Sequence, residues 1–148
     1  MLEQARFLPD QGTVNGAENW IRARAFLQQG DTGKAREYWA KLAEDEKDDS
    51  SIEFDIKDGN TFEARREVEK LAESETGKTA PYRIACLYAL LGDRERAFTW
   101  LDRSYAMRQE DLISLKVDPA VDDLRDDPRY RELLHRLNLI DKESDASR

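Results

Sequence analysis

Three times along this chain a Gly is followed directly by Asp or Asn and, five residues after the Gly, by Ala. The sites are Gly30-Asp31…Ala35, Gly59-Asn60…Ala64 and Gly92-Asp93…Ala97. Each follows a stretch of helical periodicity and opens another. A Gly ends a helix by accepting positive φ, and the Asp or Asn beside it is placed to cap the helix that follows. A helix–turn–helix unit that recurs in this way is the signature of a stacked array, and such arrays usually bind rather than catalyse.

The apolar stripes between these turns predict the helices. Trp20, Ala23 and Leu27, widened by Phe26, mark a helix that starts near Ala17 and stops at Gly30. Asp31 or Thr32 caps the next, whose stripe is Ala35, Trp39, Leu42 and Ala43. Thr61 caps a helix bearing Ala64, Val68, Leu71 and Ala72, and Glu75 to Thr79 reads as a loop. Pro81 suits the first turn of a helix. Its residues Ile84, Ala85, Leu87, Tyr88 and Leu91 are apolar around most of the circumference, which places it at the centre of the core. Asp93 caps a helix with Ala97, Trp100, Leu101 and Tyr105 inward. Leu112 to Val117 is too short and irregular for a full helix. Asp118-Pro119 and Asp127-Pro128 each read as a cap followed by Pro in a first turn, the second opening a closing helix with Tyr130, Leu133, Leu134 and Leu137 on one face.

Residues 50–58 carry two patterns. Ser50 and Glu53 form a capping-box pair, with Ile52 and Ile56 four apart, which suits a helix. Ile52, Phe54 and Ile56 also alternate with Glu53, Asp55 and Lys57, which suits a strand. Helix is favoured because no second convincing strand exists to pair with it. Residues 2–8 can form a turn or two of helix before Pro9, fitting the end of an upstream repeat; Asp10 to Gly16 reads as loop, Glu44 to Asp49 as an exposed acidic helix end, and 141–148 as a disordered polar tail.

The 148 residues suit one domain, here 1–140, and the 39% hydrophobic content is enough for a packed core. Scarce Thr, Val and Ile argue against an extensive sheet, so the fold class expected is all-α. The net charge of −8 disfavours nucleic acid and the membrane surface, since acids interrupt every short Arg cluster. No run approaches the ~20 apolar residues of a membrane helix. Cys86 is the single cysteine, which rules out an intrachain disulfide and leans toward a cytoplasmic location.

The segment from Thr79 to Asp111 resembles a tetratricopeptide repeat: Ile84 and Ala85 stand where Leu-Gly is usual, Tyr88 takes the aromatic site, and Ala97 and Leu101 follow the turn. Ala17 to Asp49 is similar through Ala23, Phe26, Ala35 and Trp39, and the middle unit through Ala64, Val68 and Leu71. The spacing departs from the 34-residue period of the family, the turn Gly residues being 29 and 33 apart. The resemblance implies about three divergent repeats, 17–49, 50–78 and 79–111, in a superhelix closed by a cap over 118–138. The stretch from Pro81 to Leu137, with Asp127-Pro128-Arg129-Tyr130, further resembles the end of the tetratricopeptide regions of bacterial transcriptional regulators and serine/threonine kinases. No kinase or winged-helix motif accompanies it.

Parts for chemistry are few. His135 is the only His, and nothing around Cys86 indicates an activated thiol, so a hydrolase built on that pair is a remote reading and no catalytic residue is assigned. One Cys and one His do not make a structural zinc site, the acidic run lacks EF-hand spacing, and Gly30 to Lys34 lacks that of a phosphate-binding loop; no metal or cofactor is expected. Binding is better supplied. In tetratricopeptide arrays the first helix of each repeat lines a concave groove. The resemblance puts Trp20, Arg24, Leu27 and Gln28 there from the first repeat and Tyr82, Cys86, Ala89 and Leu90 from the third, with Asp49, Glu53 and Lys57 from the middle one if it is helical. The expected function is a scaffold that takes a partner protein's peptide or helix in this groove. The alternative is a structural or oligomerisation subunit, including a detached regulatory domain of a bacterial signalling protein, self-associating through an exposed edge at Ile52, Phe54 and Ile56.

Overall fold

The computed structural model describes residues 16–42 and 49–139. The expectations for 2–15, 43–48 and 141–148 lie outside these residues. The described residues are helical with no strand, so the protein is all-α. The chain divides into two compact units, Met1–Thr61 and Phe62–Arg148.

The first unit holds helices α1 (Gly16–Gln28), α2 (Thr32–Ala40) and α3 (Ser50–Lys57). The second holds α4 (Thr61–Glu73, its first residue at the boundary), α5 (Glu75–Thr79), α6 (Pro81–Leu90), α7 (Arg94–Ala106) and α8 (Pro128–Arg136). Two 3₁₀ segments, Glu110–Lys116 and Pro119–Leu124, join α7 to α8.

The three Gly turns share one geometry. Gly30, Gly59 and Gly92 sit at φ +80°, +83° and +76°, where a side chain would be strained. The residue after each donates its N–H back across the turn, Asp31 to the Phe26 carbonyl, Asn60 to Asp55 and Asp93 to Tyr88, at 3.0, 2.8 and 2.9 Å. Each Gly donates to the carbonyl three residues before it. These paired bonds are the Schellman arrangement, which satisfies the last carbonyls of a helix. Asp31 then accepts from the Lys34 N–H, and Asp93 from Arg96, capping α2 and α7. Ala35, Ala64 and Ala97 are fully buried. Arg108 and Asn138 end α7 and α8 with the same pair of bonds at φ +55° and +56°, without a Gly.

In the first unit α2 packs on α1 and α3 on α2. Leu27, Ala35 and Phe54 form the core, with Phe26 and Trp39 against it. Residues 50–58 resolve as helix. Ile52 and Phe54 are buried there, and Phe54 meets Trp39 edge-on with ring centroids 6.0 Å apart, so no exposed strand edge forms. The capping box does not form: Asp49 holds the cap position, and Ser50 is the first helical residue. Thr61 likewise begins α4 rather than capping it.

In the second unit α6 is the centre, its Ile84, Ala85 and Leu87 wholly buried and α7, α5 and the Pro119–Leu124 segment packed on it. Residues 75–79 are a helix, not a loop. Ser74 caps it by accepting from the Thr76 N–H, and Gly77 lies so close to the Ala72 backbone that no Cβ would fit. The inner face of α7 is Ala97, Phe98, Leu101 and Ser104, while Trp100 and Tyr105 are half-buried. Asp118 and Asp127 cap as expected, accepting from the N–H of Ala120 and Arg129. Tyr130, Leu133 and Leu134 bury the face of α8.

Candidate functional site

Each unit contributes part of the residue set expected to line a groove. On α1 the set splits between core and surface. Ala23 and Leu27 face the core at 2% exposure each, and Trp20 stands outward at 42% with Ile21 beside it at 53%. Gln28 is exposed and Arg24 half-buried on the same side. Trp20, Arg24 and Gln28, four apart, therefore form a ridge with Ile21 along its flank. Leu27 belongs to the core and offers a partner nothing.

Arg24 is tethered from α3. Its Nη1 donates to Glu53 Oε1 at 3.0 Å and reaches Ser50 Oγ at 3.4 Å. The two residues whose spacing suggests a capping box thus serve a long-range ion pair instead. The pair is partly buried, with Glu53 the less exposed partner, so it orders the guanidinium more firmly than a solvated surface pair would. Of the other α3 residues, Asp49 is half-buried at the helix start and Lys57 exposed at its end.

The α6 set lies deeper. Tyr82, Cys86 and Ala89 are all buried, at 7%, 3% and 1% exposure, and Leu90 is half-buried. Tyr82 and Cys86 join a polar network instead of lining a surface, and Ala89 packs in the core. Tyr82 donates its hydroxyl to Asp118 Oδ2 at 2.9 Å, and the Cys86 thiol donates to the same oxygen at 3.7 Å. Burial, then the Asp118 charge, pushes the thiol up to about 12, so it is protonated at neutral pH and not a nucleophile. Burial likewise raises the Tyr82 phenol far above its ordinary range. Cys86 is thus engaged with Asp118, and His135 sits half-buried on α8.

Gln109 completes this network, a role that no local pattern of residues signals. Its Oε1 accepts the Tyr82 N–H at 2.9 Å and the Ser104 hydroxyl at 2.8 Å, and its Nε2 donates to the Thr79 carbonyl at 2.9 Å. Ala80 at the cap of α6 has no side-chain hydrogen bond to give. Gln109 therefore caps α6 from outside that helix.

A cleft of about 400 Å³ runs between α7 and α8, with Phe98 and Leu133 among its lining residues. Its guanidiniums are already neutralised: Arg129 by Glu95 and Asp127, Arg136 by Asp102. Among the described residues no cluster of three or more His, Cys, Asp or Glu is placed to hold a metal ion. No helix among them is long and apolar enough to cross a membrane. In comparison with known proteins, no family model, curated protein or solved structure matches this chain.

Proposed function

We propose that this chain is a protein-interaction module of tetratricopeptide-like repeats, whose partner docks an extended peptide or a helix along the Trp20–Arg24–Gln28 ridge of α1. The observation that carries the reading is this ridge, an exposed Trp and Ile beside an Arg held in place by Glu53. Aromatic and Arg side chains that keep large area and fixed geometry are the residues on which binding energy concentrates. The recurrence of one turn geometry at Gly30, Gly59 and Gly92 supports the repeat assignment. The superhelix, the cytoplasmic setting and the kinship with bacterial regulators belong to the same proposal. The buried Tyr82, Cys86 and Ala89 support the scaffold in it, and α1 makes the contact.

Photo-cross-linking in cells tests this. A benzophenone residue at Gln28, which is exposed and outside the core, is expected to capture a discrete partner, and the same group at Lys70 on α4 is not. Trp20→Ala should reduce the yield at Gln28 by at least about fivefold, the loss of a hot-spot side chain worth more than ~1 kcal/mol. Equal capture from both positions, or capture indifferent to Trp20→Ala in a protein of unchanged circular dichroism, would overturn the proposal.

A further inference from the structure

Arginines stacked on aromatic rings recur in the second unit, and one differs from the rest. Arg96 lies over Tyr88, Arg125 over Tyr130, Arg129 over Phe98, Arg136 over Tyr105 and Arg103 over Trp100, with distances to the ring centroid from 4.1 to 5.6 Å. Four of the five also bond a carboxylate: Arg96 with Glu69, Arg125 with Asp122, Arg129 with Glu95, Arg136 with Asp102. Arg103 has the ring, at 4.9 Å, and among the described residues it has no carboxylate. A ring attracts the face of a guanidinium and leaves its in-plane N–H donors unused. Arg103 is therefore positioned by Trp100, with its donor edge open.

Its neighbours fit the same purpose. Met107, the C-cap of α7, is 46% exposed, and Trp100, Arg103 and Met107 at i, i+3 and i+7 continue one face of α7 into its cap. Trp, Arg and Met are the types enriched where proteins meet. Arg108, exposed at φ +55° just past the helix, also lacks an ion pair among the described residues. Glu110 and Asp111 follow it closely in sequence, so the open groups here are specific donor edges and not a broad positive field.

We propose that the Trp100–Arg103–Met107 face of α7 docks an acidic partner segment, with a partner carboxylate on the donor edge of Arg103 and an apolar side chain against Trp100 and Met107. The surface is formed by α7 and its C-cap residue Met107 and shares no residue with the α1 ridge.

The test uses the full chain and three synthetic peptides of about twelve residues, long enough for a groove-binding helix. One carries Glu and Leu at helical spacing, one has every Glu replaced by Gln, and one has every Glu replaced by Lys. In NMR titration the Glu peptide is expected to shift the Arg103 Nε–H, the Trp100 indole and the Met107 methyl, and the Gln peptide to bind at least tenfold more weakly. Arg103→Glu should abolish binding of the Glu peptide and create binding of the Lys peptide. Arg66→Glu, the same charge change at an exposed position of α4, should leave both as in the wild type. Shifts spread over all exposed arginines, equal binding of the Gln peptide, equal loss in the two variants, or no shift at this face would each overturn the proposal.

Discussion

Gln109→Ala should loosen α6 more than the substitution of any exposed polar residue elsewhere. Three groups lose a partner at once. The Tyr82 N–H, at the uncapped start of a buried helix, loses its acceptor, and a buried donor left unsatisfied costs about 1–3 kcal/mol. The fully buried Ser104 hydroxyl loses its acceptor too. It can turn back to the carbonyl four residues earlier on α7, so its share is smaller, up to about 1 kcal/mol. The exposed Thr79 carbonyl exchanges the amide for water at about 0.5 kcal/mol. The sum is about 1.5–4.5 kcal/mol, a large part of the stability of a small domain.

Amide hydrogen exchange reads this directly, because protection of α6 amides measures the free energy of opening that element. At 1.4 kcal/mol per tenfold, protection of residues 84–90 should fall roughly 10- to 1,500-fold. Gln109→Glu keeps the acceptor for Tyr82 and Ser104 but sets an oxygen against the Thr79 carbonyl, so it should fall between the wild type and Gln109→Ala. Gln28→Ala, exposed on α1, should stay within ~0.5 kcal/mol. A fall below about threefold in Gln109→Ala would refute the reasoning, since that is less than the cost of one buried unsatisfied donor.

Two further outcomes follow from the same network and from the cap of α8. The Cys86 thiol, buried and pushed up to about 12, should react with iodoacetamide at neutral pH at least a hundredfold more slowly in native protein than in urea; mass spectrometry over time checks this, and rapid native labelling would contradict the burial. Asp127 is held down to about 2 by its bonds with the Arg129 side chain and N–H. The folded value lies below the unfolded Asp value of about 3.9, so its contribution is complete above pH ~4 and lost as pH falls toward ~2. The stability gap between wild type and Asp127→Asn, followed by thermal melts from pH 7 to pH 2, should therefore be widest at neutral pH and close across that window.

The parts of the fold that sequence alone makes legible are those set by neighbours within one turn of chain. Positive φ at Gly30, Gly59 and Gly92, the caps at Asp31, Asp93, Asp118 and Asp127, and Pro in the first turns of α6 and α8 all depend on local sterics and local hydrogen bonds. Helical phase is less legible. Trp100 and Phe98 are both aromatic and two residues apart, and only the position of α8 decides that Phe98 faces inward while Trp100 takes Arg103 on its ring. Ser50 and Glu53 satisfy a capping pattern, yet an Arg twenty-nine residues before Glu53 claims the carboxylate. Helix α5 escapes notice because five residues give no periodicity, and its Gly77 reads as a breaker until the Ala72 backbone is seen against it. At the candidate site the residue types of the α1 ridge were legible, but the deep burial of Tyr82, Cys86 and Ala89 was not. It depends on Asp118 and Gln109, which arrive from twenty to forty residues downstream.

The position six residues after each turn Gly shows how the repeating pattern is brought to an end. It holds Arg36, Arg65 and Phe98. Arg36 donates to Asp55 at 2.7 Å and to Asp58 at 3.0 Å, and Asp58 stands just before the Gly59 turn, where it also accepts from the Thr32 hydroxyl at 2.6 Å. Arg65 donates to Asp93, the residue just after Gly92, at 2.8 Å. In both cases a cation on one helix fixes the acidic residue of the next Gly turn, and the acid is held below the ordinary carboxylate range: Asp58 by the Thr32 hydroxyl and then Arg36, Asp93 by Arg65 against the opposing cost of its desolvation. After Gly92 no fourth Gly turn follows, and a cation at this position would have no turn acid to meet. Phe98 stands there instead, and the cation comes from the far side: Arg129 of α8 lies 4.2 Å from its ring centre while donating to Glu95 and Asp127. A ring accepts a cation without needing a turn behind it. Where the two earlier positions hold an Arg bonded to an acid of the next Gly turn, Phe98 instead forms a seat for α8.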